Sequence, residues 1–251
     1  MQTIAHLSGL LVGWTSPSVL SALADTLHRL QPDVVAVSGN LTASGSASEM
    51  RAARAFLESA PSPQVVVPGE RDYSALRRIF RPLSSQDAFA KHVETNPAPF
   101  FANRHVVLMG INTARMAEGK RFAMSETERA QMKKLLETAE PSALKILVSY
   151  APVFVGDRFD PRPEDGRVFR SQFDVVLTGT GQEKQARPVR PSDTSIFVPC
   201  TARAEGLAFN VLRVRPGESV LERYGWRISN ADFRLLSSEP LLTHPAEVEA
   251  S

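Results

Sequence analysis

Between Thr3 and Val67, short apolar runs alternate with stretches whose apolar residues recur at helical spacing, and this alternation constrains the fold more than any other feature of the chain. Thr3 to Leu10 reads as a strand. Ser16-Pro17-Ser18 opens a helix with an apolar face of Val19, Leu20, Leu23, Leu27 and Leu30, and Pro32 stops it. Asp33 to Val37 reads as a buried strand, a loop runs from Gly39 to Gly45, and Ser46-x-x-Glu49 is a capping box for a second helix. Gln64 to Val67 is a third strand. Strands joined through a helix cross over and pair in parallel, so the order predicts an α/β architecture.

The pattern continues with strands at His105 to Asn112, Lys145 to Tyr150 and Asp174 to Thr178. A second capping box, Ser125-x-x-Glu128, opens a helix that turns Met132, Leu135 and Leu136 inward. The last third changes character. Ser195 to Pro199, Leu207 to Arg215 and Ser219 to Trp226 are strand-like with turn residues between them, which predicts an antiparallel meander. Pro152 to Gln172 reads as a surface excursion and Asn230 to Ser251 as a tail. A chain of 251 residues lies at the upper end of the single-domain range, so the expected organisation is one domain over 1–228 and a C-terminal tail over 229–251.

Composition removes several classes of function. With 29 Lys and Arg against 27 Asp and Glu, the net charge of +2 is too small for a nucleic-acid footprint. Cys200 is the single cysteine, which excludes intrachain disulfides and cysteine zinc sites and fits a reducing, cytoplasmic setting. Leu7 to Ala24 carries no charge, but Gly13, Ser16 and Pro17 interrupt it and no basic segment precedes it. It reads as neither a secretory signal nor a membrane span.

Chemistry-bearing motifs stand at the ends of the strands. Ile4-Ala5-His6-Leu7-Ser8-Gly9-Leu10-Leu11, Ser38-Gly39-Asn40-Leu41-Thr42 and Pro68-Gly69-Glu70-Arg71-Asp72 follow the first three, and Val148-Ser149-Tyr150-Ala151-Pro152 and Leu177-Thr178-Gly179-Thr180-Gly181-Gln182 follow two later ones. In order and placement they resemble the calcineurin-like metallophosphoesterases, which write these segments H-x-S-D-x-H, G-D-L-T, P-G-N-H-D, H-H-P and L-x-G-H-x-H. Gly110-Ile111-Asn112-Thr113-Ala114-Arg115 and Gly206-Leu207-Ala208-Phe209-Asn210-Val211 are similar to segments of the cyclic-nucleotide-phosphodiesterase-like branch. The resemblance spans about residues 3 to 228. It implies a four-layer αββα sandwich, two mixed β-sheets flanked by helices.

The resemblance also implies where two metal ions would sit, and there the sequence departs from it. The family's aspartate ligands fall on Gly9 and Asn40, its asparagine on Glu70, its four histidine ligands on Leu11, Ala151, Thr180 and Gln182, and its catalytic histidine on Arg71. Asp72, which supports the ligands in the family, is kept. Gly9, Leu11 and Ala151 offer no side-chain donor, so no two-metal site and no cofactor is expected. The carboxylates have gone together with the histidines. Isolated carboxylates left in a partly buried site would repel and resist desolvation, so the pattern reads as a site remodelled to stand without metal.

Three readings follow. The first is a catalytically inactive scaffold or regulatory subunit that works through a protein partner, either a second copy, an active relative or a larger assembly. The contact regions expected for it are Pro152 to Gln172 and the tail, with Phe154, Phe159, Leu235, Leu236, Leu241 and Leu242 among Arg158, Arg162 and Arg234. The second is a metal-free sensor of phosphate or nucleotide, with Arg71, Asn40 and Gln182 as the candidate anion-binding set. The third is an enzyme rebuilt around Glu70, Arg71 and Asp72. Against the anion site stands a plainer expectation, a turn in which Arg71 pairs with its acidic neighbours. Glu70 with Asn40 and Gln182 is a poor divalent-cation site because it holds one carboxylate. His6 is expected to be a packed core histidine, His28, His92, His105 and His244 match no motif, and the sequon Asn40-Leu41-Thr42 is explained by the loop that carries it.

Overall fold

Along the central strands, side chains alternate between two faces, and both faces are buried. The structure, a computed structural model, describes residues 1–73, 88–96, 98–114, 126–151, 172–179, 196–200, 207–215 and 218–243. In chain order its elements are β1 (Gln2–Leu7), α1 (Pro17–Leu30), β2 (Val34–Ser38), α2 (Ala47–Ser59), β3 (Gln64–Val67), a 3-10 turn at Glu70–Asp72, α3 (Ala88–His92), β4 (Phe100–Ala102), β5 (Val106–Ile111), α4 (Glu126–Glu137), β6 (Leu144–Ser149), β7 (Val175–Thr178), β8 (Ile196–Pro199), β9 (Ala208–Arg215), β10 (Glu218–Arg227) and β11 (Asp232–Thr243).

These strands form a six-stranded sheet, β11-β10-β9-β1-β2-β3, and a five-stranded sheet, β4-β5-β6-β7-β8. Both sheets are mixed: β1 to β3 run parallel while β9 is antiparallel to β1, and β5 to β8 run parallel while β4 is antiparallel to β5. Ile4, Val34, Ala36 and Val65 from one sheet meet Leu108, Ile146, Val148 and Leu177 from the other in a core between the sheets. The opposite face of β1 and β2, with Ala5, Leu7, Val35 and Val37, packs on Leu23 and Leu27 of α1 and Met50 and Phe56 of α2. Val107, Met109, Leu147 and Val176 face Met132 and Leu135 of α4. The layer order is therefore helix, sheet, sheet, helix, as the resemblance implied.

The helix signals act locally. Ser16 Oγ accepts from Val19 N at 3.4 Å and Ser46 Oγ accepts from Glu49 N at 3.3 Å. The carboxylate of Glu49 does not return to the Ser46 backbone as a full capping box would. Its Oε2 accepts instead from Ser44 N and Ser44 Oγ, at 2.8 and 2.9 Å. Of the second box, Ser125 lies outside the described residues.

Two expectations are corrected in the last third. Ser195 to Pro199 is not part of the meander, because β8 pairs in parallel with β7 in the other sheet. The long stretch between Thr178 and Ile196 supplies the crossover that a parallel pair needs. The meander itself is β9-β10-β11, and its last member lies in what was read as tail. Two register shifts in the β10-β11 pairing, together with Pro240, break the two-residue period that would have revealed β11. Leu241 is buried between the sheets, Leu236 is half-buried and Leu235 is exposed.

Between the sheets one polar group replaces an apolar one. His6 shares the face of Ile4 and is fully buried, as expected for a packed core histidine. Its Nδ1 lies 3.4 Å from Asn210 Nδ2, which can only donate, so Nε2 carries the proton and donates to Ser38 Oγ at 2.8 Å. Ser38 Oγ donates in turn to Leu7 O at 3.4 Å. Burial without a counter-charge holds the imidazole neutral and lowers its pKa to about 3.

The unfolded chain therefore binds a proton at His6 that the native chain refuses between the ordinary value of 6.5 and about 3. Stability should fall as pH drops through that window, with a limiting slope of about 1.4 kcal/mol per pH unit from this residue. In His6→Gln the denaturation midpoint at pH 7 should be lower, and urea melts at pH 7, 6 and 5 should show a shallower pH slope than the parent. An unchanged slope would mean that His6 is not the group that titrates.

Candidate functional site

The motifs converge where β1, β2, β3, β6 and β7 end. The loops after β1 and β2 run side by side: Gly9 N donates to Gly39 O at 3.0 Å, Leu11 N to Asn40 O at 3.1 Å, Val12 N to Leu41 O at 2.7 Å, and Ala43 N to Val12 O at 3.0 Å. To stay in register the two loops enter the left-handed region at Gly9 (φ 64°), Leu11 (φ 47°), Gly39 (φ 87°) and Asn40 (φ 53°). Leu11 adopts it against the steric preference of an L-residue, at a cost of about 1 kcal/mol. At Gly39 a side chain is excluded outright, because a Cβ there would stand 2.5 Å from Gly69 N.

Asp72 joins the turn after β3 to these loops. It is 1 % exposed. Its Oδ1 accepts from Thr42 N at 2.8 Å and Thr42 Oγ1 at 2.9 Å, and its Oδ2 from Gly69 N at 2.8 Å and Leu41 N at 3.2 Å. Burial pushes the carboxyl above its ordinary pKa while these four donors pull it back. The donor set fits the ionised form.

Asn40 stands at a position where the resemblance implies an aspartate ligand. Its Oδ1 accepts from Arg71 N at 3.1 Å and its Nδ2 donates to Tyr150 Oη at 3.2 Å, so both ends of the amide are engaged. Tyr150 is buried, and its hydroxyl is pushed up to about 12 by burial first and then by the negative charge of Glu70. Arg71 does not pair with its acidic neighbours, contrary to the plainer expectation. Its guanidinium lies 4.8 Å from the ring centroid of Trp14, and one N–H donates to Ala43 O at 3.3 Å. One backbone carbonyl and the Trp14 ring lie within reach of the fork, and the Asp72 carboxylate is already taken by its four donors. Glu70 is half-buried, and its carboxylate has no hydrogen bond or ion pair among the described residues.

The second sheet closes the site from below. Ala151 N donates to Thr113 Oγ1 at 2.8 Å, and Ala151 O accepts from Ser149 Oγ at 3.1 Å. Gly179 N donates to Tyr150 O at 3.0 Å, and a Cβ at Gly179 would run into Ser38 O and stand 2.6 Å from Ser8 Oγ. The ends of β2 and β7 meet at this glycine.

The residues present do not fit a pair of metal ions. Gly9, Leu11 and Ala151 have no donor atom, the amide of Asn40 is engaged at both ends, and among the described residues no three His, Cys, Asp or Glu side chains come together. Thr180 and Gln182 lie outside the described residues. Of the candidate anion-binding set, Arg71 and Asn40 are brought into direct contact and Gln182 is not described. Of the rebuilt-enzyme set, Asp72 is sealed by four donors, which leaves Glu70 and Arg71 accessible at the rim. Sequence reasoning missed Trp14 and Tyr150. Tyr150 stood inside a quoted motif, but an exposed stacking tryptophan carries no periodic signal.

No family model matches the sequence, and no curated protein matches it. Among solved structures the chain is similar to Vps29 of Chaetomium thermophilum, at 12 % identity over 98 % of this chain and 100 % of that one, with a TM-score of 0.53. It is also similar to purple acid phosphatase PPD1 from seeds of yellow lupin, Lupinus luteus, at 11 % identity over 95 % of this chain, with a TM-score of 0.60. The chain spans about half of that phosphatase, 53 % of its length. At such identities the likeness establishes the fold, and the fold is that of the metallophosphoesterases.

Asp72→Ala should destabilise the chain by at least about 3 kcal/mol, because it leaves three backbone N–H groups without their acceptor. Arg71→Ala should cost about 1 kcal/mol or less, since it removes one hydrogen bond and a cation-π contact at a partly exposed position. Urea melts of the two variants check the order, and equal costs would show that the Asp72 carboxylate is not the tie between the loops.

Proposed function

We propose that this chain is a catalytically inactive metallophosphoesterase-fold protein, related to the cyclic-nucleotide-phosphodiesterase-like branch, that acts as a scaffold or regulatory subunit through protein-protein contacts. One observation carries the reading. The loops after β1 and β2 run side by side and enter the left-handed region at Gly9, Leu11, Gly39 and Asn40. The positions where the resemblance implies ligands hold Gly9, Leu11 and Ala151, which have no side-chain donor, and Asn40 is locked between Arg71 and Tyr150. Those loops are held by hydrogen bonds among themselves, so they stand as a surface without a metal to organise them. The similarity to Vps29 and to a phosphatase supports the fold alone. A reducing, cytoplasmic setting suits the buried thiol of Cys200, which burial pushes up to about 12. No helix among the described residues is long and apolar enough to cross a membrane.

The second reading is the metal-free sensor of phosphate or nucleotide. The Arg71 guanidinium lying over the exposed Trp14 favours it, because an arginine stacked on an aromatic ring keeps donors for an anion.

Incubation with excess Mn²⁺ or Zn²⁺ followed by gel filtration and elemental analysis should find no stoichiometric metal, and activated phosphodiesters and cyclic nucleotides should not be hydrolysed above background. Gly9→Asp alone should restore neither, because metal ligands act as a set. Two equivalents of bound metal, or a metal-dependent rate lost in Glu70→Gln, would refute the reading. Saturable binding of a nucleotide that Arg71→Ala abolishes would promote the sensor.

A further inference from the structure

At the end of the β10-β11 hairpin, exposed apolar side chains stand among arginines. Ile228 is 87 % exposed in the turn and Leu235 is 52 % exposed on β11. Pairing sets Leu235 opposite Tyr224 and Phe233 opposite Trp226. Phe209 stacks on Tyr224 at 5.2 Å between centroids, and Trp226 lies 5.3 Å from Phe233, so Leu235 extends an aromatic row that is rigid beneath it. Tyr224 and Trp226 are themselves half-buried, which leaves part of the row open.

Strand alternation turns Arg227, Asp232 and Arg234 to the face opposite Tyr224, Trp226, Phe233 and Leu235. The hairpin end therefore carries apolar side chains on one face and charges on the other, and those charges are unbalanced. Arg227 and Arg234 are exposed, and Arg29 reaches across from α1. Asp232 serves two of the three, at 2.7 Å from Arg29 and 3.5 Å from Arg234. Even with the exposed Asp25 one helical turn before Arg29, the surface stays positive. The next carboxylate along β10, Glu222, is held by Arg213 at 3.0 Å. Asp232 orients its arginines without neutralising them, and a planar guanidinium held in place suits carboxylates. Among the described strands β11 also ends the sheet, so its outer row of backbone N–H and C=O groups borders this surface. Pro240 and the register shifts break that row further along. A strand edge with Leu235 on one face and Arg234 on the other suits an extended peptide, whose successive side chains reach both faces. A bilayer would call for a broader apolar face and more cations.

We propose that the hairpin end of β10 and β11 docks an acidic, extended segment of a partner protein, with an apolar side chain against Leu235 and Ile228 and carboxylates against Arg227 and Arg234. This rests on the reading of the chain as a scaffold and names the surface and the chemistry of its partner.

Trp14 and Trp226 are the only tryptophans, so Trp14→Phe leaves Trp226 as a reporter on the surface itself. In that background, a short synthetic peptide alternating glutamate with leucine should give a saturable change in fluorescence. Its affinity should fall about tenfold from low to high salt, and about tenfold or more in Arg227→Glu/Arg234→Glu. Ile228→Ser sits in an exposed turn, leaves the core intact and should weaken binding severalfold. No saturable change, or an affinity indifferent to both variants, would sink the proposal. So would preference for phosphatidylserine vesicles over the peptide, or a self-dimer that Ile228→Ser dissolves in sedimentation. Failure of the scaffold reading would show instead in the metal and phosphoesterase assays, which this titration does not touch.

Discussion

The Asp72 carboxylate is the tie on which the motif-bearing end of the molecule depends. By collecting the N–H groups of Leu41, Thr42 and Gly69 and the hydroxyl of Thr42, it fixes the turn after β3 against the loop after β2. That contact sets Arg71 N beside Asn40, and Asn40 reaches Tyr150 on the other sheet. A buried carboxylate met only by donors is costly to remove and has no other partner to turn to, so it can hold the turn and the loop together. In this way the loops are held in place by their own hydrogen bonds.

The same logic runs through the space between the sheets. His6 and Ser38 occupy positions that Ile4 and Ala36 would lead one to expect to be apolar, and they are tolerated because each donor finds an acceptor. Gly179 lets the end of β7 approach Ser38 and Ser8, and Gly110 does the same for β5, where a Cβ would stand 2.6 Å from Val67 Cγ1. Close packing at these two glycines fills the space between the sheets there, and among the described residues Glu70 and Arg71 are the charged side chains left accessible at the rim, beside Trp14. A protein that keeps such a rim on a rigid base is suited to presenting a surface. The meander adds a second surface at the far edge of the larger sheet.

The class of fold was legible from residues 3 to 67 because a helix between two strands gives the crossover that a parallel pair needs, and because apolar periods of two and of 3.6 residues are local properties. That Gly9, Leu11 and Ala151 carry no side-chain donor was legible too, because it is a property of residue type alone. What sequence could not settle was pairing and direction. β8 has the composition of a meander strand and lies in the other sheet, and β11 hid behind two register shifts and Pro240. Arg71 was expected beside Glu70 and Asp72, yet only the tertiary structure could show that Ala43 O and the ring of Trp14 lie within its reach. The residue types at the site were thus determined by the sequence itself, whereas their partners were decided by contacts between residues 28 to 110 positions apart, whose geometry no local period encodes.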